Sequence, residues 1–446
     1  MIFDGKTIAV ATGGTLVRDA AAGEILTDTR KLGPGSWFLA LSGERFDGHD
    51  FLPTAHEAGA LGCVVSSRAN EVSGGAVLVD DTTRAIQDLG RYARSQLAAP
   101  VVALTGSSGK TTTRALIALA ISPLGAIHQT VGNLNNHLGV PMTLLATPDD
   151  AAGVVVEMGT SSHGEIALLA DIARPTVRMV LNIGPAHLLE LGGLEGVARE
   201  KGQLLATMSP GDVAVVNIDD PYVAAMQVPG RRVTWGEGGD ISLRSAELDP
   251  ETLHTRVVFD SPDGELRATI PAPGRHIAHN AAGALAVAWA IGVDLTAAVA
   301  ALEGYAPVGM RLRSEELPGG VTALNDAYNA NPQSMEASLR LLASLPGRRI
   351  AVLGDMLELG GDERRWHAEI AALATSLELD LVILVGPLMG RTDVPGALSF
   401  ADQAHAVGAL QSFLHAGDRV LFKGSRGARM ERILQSLRHE TSSGEH

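Results

Sequence analysis

Apolar positions fall into short runs that end in polar or glycine-containing turns, with longer stretches of helical spacing between them. In residues 1–98, "ALGCVVSS" and "GAVLVDD" read as strands and "TTRAIQDLGRYARSQLA" as an amphipathic helix. After Ala99-Pro100 a second series begins with "VVALTG" and continues with "GVVVEMG", "VRMVLNIG" and "DVAVVNIDD". Strand, turn and helix repeated in this way predict a mainly parallel sheet, and ligands of such sheets sit at the carboxyl ends of the strands. The polar residues of the chain collect at those ends. "HNAAGALAVAWAIGV" and "DLTAAVAALEG" read as two helices parted at Gly292, with Asp294 as N-cap. After "YAPVGMR" come three more buried strands, "RRIAVLGDM", "LDLVILVG" and "DRVLFKG", with helical "DERRWHAEIAALATSL" and "ARMERILQSL" between and after them. The expected fold is α/β in three domains: an N-terminal α/β domain (1–98), a central domain of P-loop type (99–305) and a smaller Rossmann-like domain (306–446). The third lacks G-x-G-x-x-G after its first strand, so no dinucleotide is assigned to it.

Composition agrees with this division. A chain of 446 residues suggests about three domains. With 46% hydrophobic and 19% charged residues it can bury large cores, and only its polar end, "RHETSSGEH", is expected to fray. The N-terminus has no signal-peptide pattern, and no apolar run is long enough to span a bilayer. Cys63 is the only cysteine, which excludes a disulfide framework. A cytoplasmic protein without membrane insertion is expected. The net charge of −15 argues against nucleic-acid binding, so an anionic ligand must be met by local positive groups.

"TGSSGKTTT" supplies such groups. It follows a buried strand and opens a helix, but the first glycine of G-x-x-x-x-G-K-[ST] would fall at Leu104. Gly106, Ser107, Ser108 and Gly109 bring backbone N–H groups towards an anion, the helix N-terminus adds its dipole, and Lys110 adds a full charge. Thr111 or Thr112 can offer a hydroxyl to Mg²⁺. Glu157 and His187 each follow a strand, near enough to the loop for a carboxylate and an imidazole to hold a divalent metal; a satisfied surface or core histidine is the alternative for His187. Lys201, in helical "EGVAREKGQLLA", reads by itself as a solvated lysine. Asn135 and Asn136 in "GNLNNHLGVP" can cap, turn or bind a polar ligand. "NDAYNANPQSM" offers Asp326, Asn331 and Ser334, and "FKGSRGARME" offers Lys423, Ser425 and Arg426 as an anion cradle, with ordinary loop chemistry as the alternative for both.

Taken in order, "TDTRKLGPGSWFLALSGERFDGHDF", "TGSSGKTTT", "GNLNNHLGVPMTLL", "VVEMGTSSHGEI", "NIGPAHL", "GRHIAHNAAGALAVA", "DAYNANPQSM", "LGDMLELG" and "KGSRGARME" resemble the Mur ligases of bacterial cell-wall synthesis over almost the whole chain. The short loop matches that family's TG-x-x-GKT-T. The resemblance implies an ATP-dependent, ADP-forming amide ligase acting through an acyl phosphate. It is most like the branch that adds D-alanyl-D-alanine to UDP-N-acetylmuramoyl-tripeptide, with these two small molecules as partners and a monomer expected. It further implies that Lys110 holds phosphates and that Thr111, Glu157, His187 and a carbamylated Lys201 serve Mg²⁺. Asn280 would contact adenine, Asp326 the ribose and Arg311 a phosphate. Thr29 and Arg30, with "GERFDGHDF", would hold the UDP end in the N-terminal domain, and Asn331 and Ser334 would lie near the peptides.

The chain departs from the family pattern in three places. "GRHN" is "GRHI", placing Ile277 for asparagine; "AKGE" is "EKGQ", placing Glu200 and Gln203; "TDSR" is "TDTR". Glu200 would compete for metal or point to solvent. The alternatives are another Mur-type amino-acid ligase, which typically carries "DYAHTP" and "DNPR" motifs not found here, and a non-catalytic ATP-binding switch.

Overall fold

The computed structural model describes residues 1–43 and 46–439. Glu44 and Arg45 of "GERFDGHDF", and the last seven residues expected to fray, lie outside the described residues. Arg438 was expected to fray with them. It instead closes the helix Glu431–His439 and pairs with Glu315.

Each of the three segments is built on its own sheet. In the first the strand order is Thr15–Arg18, Gly75–Leu78, Gly62–Val65, Ser36–Leu39, Glu24–Leu26, parallel except for the first pair. The central sheet is parallel throughout, in the order Arg231–Trp235, Val213–Asn217, Val177–Val180, Val101–Thr105, Gly153–Glu157, Ile127–Gln129. Its inner strands are covered on both faces, which is why they read as unbroken apolar runs. The third sheet runs Arg313–Leu317, Val321–Asp326, Arg419–Lys423, Arg349–Gly354, Leu381–Val385, Ala397–Phe400, with an antiparallel first pair. The helices parted at Gly292 form as expected, and Asp294 accepts from the Ala297 N–H at 2.8 Å.

An antiparallel sheet, Ser242–Leu248, Thr255–Ser261 and Gly264–Ile270, was not anticipated. It packs against the helix Arg275–Ala290, which in turn lies along the phosphate-loop helix Lys110–Ala120.

The two seams between segments differ in chemistry. The helix Thr82–Gln96, capped by Asp81, buries Ile86 and Leu89 in one apolar cluster with Val140, Leu144, Ile166 and Leu169 of the central segment. A Cβ at Gly90 would come within 2.6 Å of the Pro141 Cβ, so glycine is required for this approach. The first two segments therefore form one body held by apolar burial. The third meets the central segment partly through Leu253, which is buried in the third segment's apolar cluster, and partly through polar contacts across a cavity of about 1780 Å³. That is larger than the roughly 300–1,000 Å³ of a single-ligand site, with room for more than one substrate. Among the described residues no helix is long and apolar enough to cross a membrane.

Candidate active site

The strand Val101–Thr105 delivers Gly106–Gly109 to the floor of the cavity. A Cβ on Gly106 would lie 2.8 Å from that of Leu181, and Gly109 has φ 77°. These are the steric reasons for the two glycines. The Asn182 side chain and carbonyl accept from the Ser108 and Ser107 N–H groups at 3.0 and 3.1 Å, and Ser107 Oγ donates to the Gly184 carbonyl at 3.0 Å. The loop is thus fixed in shape before any ligand arrives. Lys110 turns back to donate to the Gly106 carbonyl at 2.7 Å. Burial holds its pKa down, the Glu157 carboxylate opposes this, and the Arg311 charge adds to it.

Thr111 Oγ1 donates to Glu157 Oε2 at 2.9 Å. Of the two threonines it is therefore Thr111 that shares a site with the carboxylate. Glu157 also accepts from Arg114 Nη1 at 3.1 Å and Asn135 Nδ2 at 2.9 Å, and its N–H donates to Thr130 at 3.0 Å. Glu157 and Arg114 are both buried, so each charge depends on the other. Asn136 Oδ1 accepts from the Leu138 and Gly139 N–H groups at 3.2 and 2.9 Å in the turn that leads into the helix Gly139–Leu145.

His187 lies at the cavity edge in a left-handed conformation, φ 53°, with Nδ1 3.3 Å from Glu358 Oε2 of the third segment. Burial lowers its pKa; Glu358 opposes this, and Lys201 and Lys110 reinforce it. Lys201 is not the solvated lysine its helix suggested. It is 2% exposed, with no hydrogen-bond partner among the described residues, and its pKa is driven far down, first by burial and then by the charge of Lys110. Glu200 neither faces solvent nor competes for metal: its carboxylate accepts from the Gly164 and Ile166 N–H groups at 2.7 and 2.8 Å. Gln203 lies away from the lysine and reaches back to the Arg199 carbonyl.

Asn280 packs beside Gly109 on the helix that also carries Ile277, which is buried against the core. Across the cleft, Arg311 stacks on Tyr328 at 3.7 Å. Asp326 uses both oxygens, accepting from the Leu312 N–H, Ser338 Oγ and Lys423 Nζ. Asn331 and Ser334 form a capping box on the helix Pro332–Ala343, and Asn331 Nδ2 also reaches the Ser107 carbonyl at 3.4 Å.

The expected cradle of Lys423, Ser425 and Arg426 does not assemble. Lys423 is spent on Asp326, Ser425 Oγ bridges Leu357 and Ala330, and Arg426 faces outward to Glu431. Thr29 and Arg30 lie in the first segment, away from the cavity, where Arg30 pairs with Asp28. Sequence reasoning missed Arg114, Asn182, Gln333 and Glu358. Only the adjacency of Asn182 to a strand end hinted at one of them.

Among the described residues no three acidic, histidine or cysteine side chains cluster as a metal site. Mg²⁺ does not require one, since it uses one or two carboxylates together with substrate phosphates and water. Thr111 and Glu157 beside a phosphate loop fit that pattern.

Three family models cover the chain: "Mur ligase family, catalytic domain" at 23–91, "Mur ligase middle domain" at 104–288 and "Mur ligase, glutamate ligase domain" at 310–426. The chain belongs to the Mur ligase family. Two relatives named UDP-N-acetylmuramoyl-tripeptide–D-alanyl-D-alanine ligase are those of Escherichia coli K12, 35% identical over 94% of both chains, and Bacillus subtilis 168, 36% identical over 97% of both. The crystal structure of MurF from Acinetobacter baumannii superposes with a TM-score of 0.90 at 34% identity, covering 98% of this chain and 99% of the other. MurF from Thermotoga maritima in complex with ADP gives 0.84 at 28% identity, covering 95% and 99%. As a Mur ligase, this chain keeps the loop, lysine and carboxylate of an ATP-using enzyme in one cleft.

Proposed function

We propose that this chain is the ADP-forming ligase that joins D-alanyl-D-alanine to UDP-N-acetylmuramoyl-tripeptide in peptidoglycan precursor synthesis. What carries the reading is the likeness, over nearly the full length of both chains, to relatives of that name, together with the grouping of Lys110, Thr111 and Glu157 at one end of the cleft. In this reading it works in the cytoplasm as a monomer on small-molecule substrates.

A carboxylate is a poor electrophile. A carboxylate oxygen of the tripeptide attacks the γ-phosphorus of ATP and ADP leaves, giving an acyl phosphate. The dipeptide amine then attacks the acyl carbon, the tetrahedral intermediate collapses, the C–O bond to phosphate breaks, and the amine loses its proton to solvent. Such a reaction needs positioning and charge neutralisation more than covalent help from the protein. Lys110, released from the Gly106 carbonyl, takes the β and γ phosphates; the N-terminus of the helix Lys110–Ala120 faces the same anion, while the Ser107 and Ser108 N–H groups stay on Asn182 and hold the loop in shape. Arg311 approaches from the third domain, and Asn280 and Asp326 hold adenine and ribose.

Thr111 and Glu157 would hold a magnesium ion, and His187 with Lys201 a second, which together spread the charge of the transferring phosphoryl group. An unmodified lysine offers that ion no oxygen. A buried amine with a lowered pKa is neutral enough to take up CO₂, and the resulting carbamate supplies a carboxylate-like ligand. Thr29 and Arg30 hold the UDP end, Asn135, Asn136, Asn331 and Ser334 line the peptide path, and the domain limits are 1–98, 99–305 and 306–446.

The acyl phosphate makes a specific demand. Tripeptide labelled with heavy oxygen in its terminal carboxylate must pass one labelled atom into the released phosphate. Label confined to the peptide product would exclude the mechanism.

A further inference from the structure

Glu200 stands immediately before Lys201, where the family pattern carries alanine. It is 3% exposed, and both of its oxygens are spoken for: Oε2 by the Gly164 N–H at 2.7 Å and Oε1 by the Ile166 N–H at 2.8 Å. Those donors open the helix Glu165–Ala173, which packs on the helix Leu194–Ala206 that carries Lys201. A carboxylate is favoured there twice, by charge-assisted hydrogen bonds and by the positive end of the helix dipole.

The loop ahead of that helix is held by a second carboxylate. Glu165 Oε2 accepts from the Ser161 and Ser162 N–H groups at 2.6 and 3.0 Å and from Thr160 Oγ1 at 3.0 Å. The Gly159 N–H reaches the Asn135 carbonyl at 2.8 Å. Gly159, Thr160 and Ser161 line the active cavity beside Glu157 and Asn135, and the helix behind them packs on the N-terminal domain through Ile166 and Leu169. Glu165 shapes the loop from within; Glu200 alone of the two ties it to another helix.

We propose that Glu200 is a positioning residue that fastens the cavity loop Thr160–Gly164 to the lysine helix, so that the peptide-side wall of the cleft and Lys201 keep a fixed separation. The assignment of that wall to the peptide substrate rests on the function proposed above. The arrangement also explains how a second anion is tolerated next to a lysine destined to become one: the Glu200 charge is satisfied by backbone N–H groups of another helix and forms no ion pair with Lys201.

The test is Glu200→Gln in the full-length enzyme, read by hydrogen exchange and by steady-state kinetics. Losing one charged acceptor should speed exchange at Gly164 and Ile166 by about tenfold. The KM for UDP-N-acetylmuramoyl-tripeptide should rise by roughly five- to tenfold, while the KM for ATP stays within about twofold. Glu200→Asp keeps the charge on a shorter arm; it should show the same split at smaller size, and it serves if the glutamine variant does not fold. Unchanged exchange, or an equal rise in both KM values together with lowered thermal stability, would overturn the proposal. Should the wild-type enzyme not use D-alanyl-D-alanine at all, the functional reading fails while the exchange measurement still decides the clamp.

Discussion

His187 Nδ1 and Glu358 Oε2 face each other across the cleft at 3.3 Å, each residue in left-handed backbone, φ 53° and 65°. Such conformations cost of order 1–3 kcal/mol apiece and persist only where surrounding structure enforces them. On the side of Glu358 that structure is visible: the Met356 N–H donates to His367 and the Leu357 N–H to Ser425 Oγ, both at 2.9 Å. The third domain thus presents Glu358 on a rigid arm. Burial holds His187 towards its neutral form and the Glu358 carboxylate is 62% exposed, so the contact is worth at most about 1 kcal/mol, enough to bias the third domain towards a closed approach to the central one and weak enough to release it to an open one. Glu358→Gln should shift the open–closed balance by up to about fivefold towards open. Scattering profiles with an ATP analogue and UDP-tripeptide would report this as a larger mean radius; identical profiles would remove Glu358 from closure.

The buried pair Glu157–Arg114 combines function and stability, and two variants separate them. Glu157→Gln strands the Arg114 charge and should cost about 3–5 kcal/mol of stability as well as nearly all activity. Adding Arg114→Met should recover most of the stability but none of the turnover. Recovery of activity in the double variant would show that Glu157 is structural only. Denaturant unfolding and phosphate release are the two readouts.

Lys201 is expected to be essential through its carbamate. Lys201→Ala should abolish turnover, and short carboxylic acids should restore part of it. Intact-protein mass spectrometry under CO₂ should show one added CO₂ on the wild type and none on the variant. A fully active Lys201→Ala enzyme would contradict the role.

His276 supplies a pH dependence of stability. His276 is half-buried in the cavity wall, and the desolvation there holds its pKa down to about 4, against the pull of Asp326 and with the push of Lys423. The unfolded chain takes up this proton near pH 6.5, the folded one only near 4. Its contribution is complete above 6.5 and is lost as pH falls from 6.5 to 4. Replacing His276 by Asn should flatten the stability profile in that window; an unchanged slope would mean that His276 is solvated.

Much of this was legible because the central strands are buried on both faces and write themselves as apolar runs. The antiparallel sheet was not read, although the sequence carried its signal. Val257 and Phe259, then Leu266, Ala268 and Ile270, alternate across an Asp263-Gly264 turn, but charged outward positions dilute the run. The phosphate loop was readable because its chemistry is contiguous. Glu200 was not, because its partners lie more than thirty residues away at the start of another helix. The same separation hid the burial of Lys201, and a shared loop position made Lys423, Ser425 and Arg426 look like a cradle that packing divides.

Phosphate release from ATP tests the central claim most directly. With UDP-N-acetylmuramoyl-tripeptide present, release should depend on added D-alanyl-D-alanine and should yield a nucleotide-linked product heavier by one dehydrated dipeptide. Release that follows single amino acids but not the dipeptide, or ATP binding with no turnover under either condition, would contradict it.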